Sequence, residues 1–184
     1  MVRLGVLFYL AMACVAWVWR GLVQGEPMLF ISEAAELRGG SLWRDGAIGI
    51  GMGLAVVVVS DWLTSRTHWG EDLSRRLAEA VGPLSLPQCF VLALASGFGE
   101  EFFFRGALQP VVGLGWASFL FGLMHLGPDR AWLPWTGFAL VMGLGLGALY
   151  ILTGSLWAPV VAHVVINGVN LPRLARRSGS FAPS

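Results

Sequence analysis

Leu86-Pro87-Gln88-Cys89-Phe90-Val91-Leu92-Ala93-Leu94-Ala95-Ser96-Gly97-Phe98-Gly99-Glu100-Glu101-Phe102-Phe103-Phe104-Arg105-Gly106-Ala107-Leu108 is apolar enough to cross a bilayer, yet it carries two acids and an arginine near its end. A spanning helix needs about 20 predominantly apolar residues, and Pro87 suits a first helical turn. Ionisable groups in hydrocarbon cost at least about 2.5 kcal/mol each on insertion scales, so Glu100, Glu101 and Arg105 are functional candidates by default. Residues four apart on a helix share a face, so Glu101 and Arg105 are expected to pair. Glu100 is turned about 100° from Glu101, which frees it for a different task.

Working outward, five more apolar segments follow the same pattern. They run over Leu4 to Val23, Gly46 to Leu63, Val112 to Leu126, Trp132 to Leu152 and Leu156 to Leu171. The fold class is therefore all-α: a polytopic membrane bundle of about six transmembrane helices. Arg20 interrupts the first segment late. Arg3 before an apolar run imitates a targeting signal, but no small-x-small cleavage site follows, so a retained first helix is expected. From Thr64 to Ser85, Leu73, Leu77, Val81 and Leu84 recur at helical spacing opposite Arg75, Arg76 and Glu79, which predicts one interfacial amphipathic helix. Small residues recur every fourth position at Gly49 and Gly53, at Ala93 and Gly97, and at Ala139, Gly143 and Gly147, a pattern that lets helix backbones approach closely in lipid. The tail from Pro172 to Ser184 reads as a frayed end. The chain reads as a single membrane domain over 1–184, with a catalytic core over 84–171.

Composition agrees. Of 184 residues, 56% are hydrophobic and 12% charged, and mean hydropathy is +0.70, whereas soluble domains carry about 25% charged residues. The lipid bilayer is thus the first partner. A net charge of +1 without a basic stripe excludes a nucleic-acid partner. Cys14 and Cys89 fall in apolar segments and are expected as buried thiols, not a disulfide. The chain has no Lys, so Arg sets orientation. With the N-terminus inside, Arg3, Arg66, Arg75, Arg76, Arg130, Arg173, Arg176 and Arg177 fall inside, and Arg20, Arg38 and Arg44 outside. Both termini are expected to be cytoplasmic.

Three other polar residues share the apolar segments: His125, and His163 with Asn167. Phe121 and His125 share a helix face, as do His163 and Asn167. A carboxylate beside an imidazole can hold and deprotonate a water. A second imidazole and a carboxamide can donate to the oxyanion of a tetrahedral intermediate. Glu100 with His125 is assigned the water, His163 with Asn167 the oxyanion, and Arg105 neutralises Glu101. Taken singly, Glu101–Arg105 could equally be a structural ion pair and His163 a hydrogen-bonded core imidazole. Ser96 and Ser118 lack Gly-x-Ser-x-Gly context, Cys89 has no His nearby in sequence, and Asp61 reads as an interfacial group beside Trp62. No His-Glu-x-x-His spacing is present, so no cofactor is expected, and zinc on these groups is the less favoured alternative.

Glu-Glu-x-x-x-Arg, Phe-x-x-x-His and His-x-x-x-Asn in this order, on three apolar segments, resemble the CPBP family of intramembrane proteases. That family includes the type II CAAX prenyl endopeptidases and the bacterial Abi proteins. Phe98-Gly99-Glu100-Glu101 and Phe104-Arg105-Gly106 are similar to its first motif, and Ala158-Pro159-Val160-Val161-Ala162-His163 to its last. The similarity covers about Leu84 to Leu171, roughly half of the chain. It implies a helical bundle with its active site in a cavity within the membrane. It also implies glutamate-dependent peptide hydrolysis by a water held between Glu100 and His125, with His163 and Asn167 at the oxyanion. The implied substrate is a membrane-anchored protein or peptide cut near its C-terminus or anchor. Trimming anchors of exported proteins in a prokaryotic inner membrane is favoured over prenyl-protein processing. The alternatives are a non-catalytic scaffold or bacteriocin-immunity protein of the same fold, and a small transporter.

Overall fold

A computed structural model describes residues 2–39 and 41–179. Among them the architecture is all-helical, with one isolated bridge between Phe30 and Ser155 in place of any strand. The long helices are α1 (Val2–Val18), α3 (Leu42–Arg66), α4 (His68–Val81), α5 (Leu86–Glu101), α6 (Gln109–Leu123), α7 (Leu133–Thr153) and α8 (Trp157–Arg177), with a short α2 (Glu33–Leu37). Four stretches are long and apolar enough to cross a bilayer: Val2–Val23, Leu42–Arg66, Leu86–Leu123 and Arg130–Thr153. Leucines, valines and aromatics such as Leu7, Phe8, Trp17, Val58 and Val141 face outward. In water that would be an aggregation liability, but it is what a lipid-facing surface requires.

The expected third and fourth segments form one helical stretch of 38 residues. A straight helix of that length would be about 57 Å long, well beyond the hydrocarbon thickness of about 30 Å. It bends at Gly113, whose φ of +81° and ψ of 165° lie outside the helical region and are open mainly to glycine. After Gly113, α6 runs back along α7 and the preceding turn. Glu100 lies 13 residues before this hinge and His125 lies 12 after it. At about 1.5 Å per residue, the two arms are nearly equal and return His125 to the depth of Glu100.

α8 lies at the centre and packs against α3, α5, α7 and α4. It is 21 residues long, but its polar groups and terminal arginines keep it from being among the four stretches apolar enough to cross. The expectation of a frayed tail from Pro172 is corrected here. Helix continues through Arg177, with Pro172 and Ala175 buried. Its last expected part, residues 180–184, lies outside the described residues. The terminal turn is held because Ser178 Oγ donates to the Gly82 carbonyl across the α4–α5 junction.

The small-residue pattern explains the closest helix contact. A Cβ at Gly49 would sit 2.5 Å from the Ala158 carbonyl oxygen, and one at Gly53 would sit 2.8 Å from Val165 Cβ. Gly51, on the same helix, has nothing within 4 Å. Gly49→Ala and Gly53→Ala are therefore each expected to cost about 1–3 kcal/mol by overpacking, while Gly51→Ala is neutral or slightly stabilising. Thermal melts of the three variants in detergent check this. Equal melting temperatures would remove the α3–α8 contact as a source of stability.

Arg20, which interrupts the first apolar segment, is given its partners by the loop that follows. It is buried in a π-helical turn, Trp19–Val23, that continues α1. It donates to the carbonyls of Pro27, Phe30 and Ile31 and to Gln24 Oε1. Those bonds fold the 24–32 loop onto the α7–α8 turn, where Ile31 N–H donates to the Gly154 carbonyl and Leu156 N–H to that of Leu29. Cys14 and Cys89 are free thiols. Cys89 is buried as expected, whereas Cys14 faces outward.

Candidate active site

A capping box, Ser85 with Gln88, starts α5, and Pro87 sits in its first turn. The helix then carries Ser96, Glu100 and Glu101 inward. Directly after Glu101 the backbone widens into a π-helical turn, Phe102–Leu108, a local geometry often found at functional sites. Arg105 lies in this turn and still reaches back. Its Nη1 donates to Glu101 Oε1 at 2.9 Å, and Nη2 approaches the Gly143 carbonyl at 3.5 Å. Its guanidinium also stacks 4.4 Å from the centroid of the Phe121 ring, a cation–π contact worth most when desolvated. Arg105 and Glu101 are both fully enclosed.

The two acids divide as their angular offset requires. Glu101 Oε1 accepts from Arg105 and also meets His163 Nδ1 at 2.7 Å. Glu100 turns instead into a cavity of about 820 Å³, and His125, His163, Asn167, Ser96 and Tyr9 also line it. Glu100 Oε2 is 4.0 Å from His125 Nε2 and 3.9 Å from His163 Nε2. It is buried without a hydrogen-bond partner in the protein.

Tautomers follow from the partners. His125 Nδ1 lies 2.7 Å from the Phe121 carbonyl, which can only accept, so Nδ1 carries the proton and Nε2 of the neutral ring is an acceptor. Two acceptors, Glu100 Oε2 and His125 Nε2, thus face each other at 4.0 Å. A water donating to both at about 2.8 Å would subtend close to a right angle, which suits its two O–H bonds. A tetrahedral zinc fits less well. Metal–ligand bonds of about 2.0–2.1 Å would draw carboxylate oxygen and imidazole nitrogen to about 3.4 Å. Among the described residues, no group of three or more His, Cys, Asp or Glu side chains is arranged to hold a metal ion.

All six residues singled out in the sequence meet in one region. Asn167 stands a turn below His163, and its Nδ2 donates to Ser96 Oγ at 2.9 Å. That leaves its second N–H free. Ser96 therefore has a positioning contact rather than a base beside it. Asp61 is exposed and pairs with Arg173 at 3.4 Å. The sequence reading missed Tyr9, which arrives from α1; a featureless apolar helix gives no sign of which face turns inward. The amphipathic helix is present as α4, and its Trp69, Leu73 and Leu77 line the same cavity. Arg76 on α4 approaches Asp129, four residues after His125, at 3.9 Å.

The fold and this site define an integral membrane protein with a buried acid–imidazole centre. Residues 82–169 match the family described as type II CAAX prenyl endopeptidase Rce1-like. The chain is also 31% identical over 130 residues to the uncharacterized protein YpbD of Bacillus subtilis (strain 168). The alignment covers 70% of this chain and 66% of that relative's length. No solved structure matches the chain. Over residues 82–169 the chain is a member of the Rce1-like family.

Proposed function

We propose that the protein is an intramembrane endopeptidase that cuts a peptide bond near the C-terminus or membrane anchor of a membrane-associated protein. The observation that carries this reading is the facing pair of acceptors, Glu100 Oε2 and His125 Nε2, at water-bridging distance on the wall of a largely apolar cavity. A water donating to both is polarised for attack on a substrate carbonyl. Glu100 takes its proton, and the same proton passes to the leaving amine as the tetrahedral intermediate collapses. On this reading Asn167 and His163, on the same cavity wall, donate to the oxyanion. His163 can donate from Nε2 only as imidazolium, because its Nδ1–H is held by Glu101. Two carboxylates, one guanidinium and one imidazolium then sum to zero charge, which a low-dielectric site tolerates far better than a net charge.

The cavity supports an apolar substrate segment. Met52 and Val56 of α3, Phe138 and Met142 of α7 and Ile166 of α8 line it. It ends at Arg173 and Arg177 on one side, while Glu101 and Arg105 lie outside its lining. A lining that includes Glu100 but not Glu101 or Arg105 favours hydrolysis over a continuous polar path for transport. On this reading α8 and the arm of α6 beyond Gly113, which is too short to cross alone, bring the membrane segments to about six, and both termini face the cytoplasm of a prokaryotic cell. The C-termini of membrane proteins, compared by mass spectrometry between cells carrying the wild type and cells carrying Glu100→Gln, test the activity. Identical C-termini would leave a non-catalytic scaffold or immunity role.

Catalysis here needs no metal on this reading. Glu101 is held by Arg105 and His163, and Glu100 stands too far from both imidazoles for tetrahedral coordination. Purified protein is expected to hold no stoichiometric zinc and to keep its activity in chelator. One zinc per chain by elemental analysis, with activity lost on removal and restored on return, would make Glu100, His125 and His163 its ligands.

A further inference from the structure

Glu100 presents a buried carboxylate whose Oε2 has no protein donor, and a buried anion is stable only when donors surround it. The donors near it are mostly committed elsewhere. The Nδ1–H of His125 goes to the Phe121 carbonyl and Nδ1 of His163 engages Glu101. Arg105 donates to Glu101 and faces Gly143, and Asn167 donates to Ser96. Besides the second N–H of Asn167, the hydroxyl of Tyr9 is a neutral donor on the cavity wall that Glu100 shares.

Tyr9 is held there by backbone packing. α1 crosses α5 at Gly99, the residue before Glu100. A Cβ at Gly99 would lie 2.6 Å from the Tyr9 carbonyl oxygen and 2.8 Å from Tyr9 Cβ. Tyr9 packs against the cluster of Met12, Phe104, Phe121 and Ala139, which includes the residue whose carbonyl accepts from His125. Tyr9 and Glu100 line the same cavity, and no hydrogen bond between them is closed in the structure, as is common before substrate binds.

We infer that Tyr9 is a positioning residue, whose hydroxyl donates to the Glu100 carboxylate and turns Oε2 toward the water. This role rests on the hydrolase reading for its consequence, but the contact itself does not. Tyr9 lies outside residues 82–169, so the family match does not assign it.

The chain has two tyrosines, Tyr9 and Tyr150, which permits a direct test. Full-length protein labelled with 3-fluorotyrosine gives two fluorine resonances in nanodiscs, assigned with Tyr9→Phe. Glu100→Gln is expected to move the Tyr9 resonance and leave that of Tyr150 in place, which also reports an intact fold. A Tyr9 resonance unmoved by Glu100→Gln overturns the inference. Should Glu100→Gln disturb Tyr150 as well, Glu100→Asp provides the same comparison with the charge kept and displaced. On processing, Tyr9→Phe keeps the ring packed on Gly99 and is expected to slow turnover roughly 10- to 100-fold, as for a lost hydrogen bond to a charged group. It is expected to add nothing to the loss in Glu100→Gln. Undiminished turnover by Tyr9→Phe also overturns the positioning role. A coupled resonance in a protein that processes nothing would instead overturn the hydrolase reading and leave the contact standing.

Discussion

Glu100→Gln is expected to abolish proteolysis while the protein folds, inserts and melts near the wild-type temperature. General-base action contributes about 10²- to 10⁴-fold, and the isosteric amide can neither take the proton nor polarise the water. The fold depends on this side chain far less, because Glu100 Oε2 makes no hydrogen bond within the protein and the amide keeps its shape. His125→Ala is expected to lose a similar share of activity, because Nε2 is the second acceptor for the water. Its ring is partly exposed and among the described residues its side chain makes one hydrogen bond, to the Phe121 carbonyl, so the bundle survives. Processing assays on membranes, run beside melts of the purified variants, check both halves. A folded Glu100→Gln that still processes substrate would remove Glu100 from the reaction.

Much of this site was legible in the sequence for a simple reason. Charges and imidazoles in apolar runs are costly enough that they stand out, and helical periodicity then pairs them. Glu101 with Arg105, Phe121 with His125, and the divergence of Glu100 from Glu101 all follow from rotation per residue. The Gly49 and Gly53 contact was legible because close backbone approach excludes a side chain. Other features depend on tertiary contacts that no local pattern encodes. The π-helical turn after Glu101 lies in a segment apolar on every face, so an extra residue per turn leaves no mark on periodicity. The hinge at Gly113 is one glycine among 25. Tyr9 reaches Glu100 only because α1 packs across Gly99, and Arg20 is buried only because the 24–32 loop wraps it. The helical continuation through Arg177 was hidden by Pro172 and the charged residues around it, which look like an ending until α4 and α5 are placed beside them.

Arg105→Met and Glu101→Gln are each expected to reduce the yield of folded protein sharply, and combining the losses is expected to restore much of it. The pair is fully enclosed, with Nη1 to Oε1 at 2.9 Å. Removing one member of a buried pair strands the other charge, at about 3–5 kcal/mol in soluble proteins, whereas replacing both with packed neutral groups is often neutral or better. Removing Arg105 also strips the Phe121 face of its cation and the Gly143 carbonyl of its neighbour. Both contacts lie behind the site, so the damage spreads to the helix that carries His125. In Glu101→Gln with Arg105→Met, the amide oxygen can still accept from His163 Nδ1, so packing and orientation recover. The negative charge that an imidazolium His163 needs is gone, so activity does not recover. Size-exclusion yields and melting temperatures of the two singles and the double read the first effect, and processing assays on the double read the second. Singles that melt like wild type would show that the charges are not coupled in the fold. A double variant that regains full turnover would show that Glu101 is structural alone and that His163 works as a neutral ring.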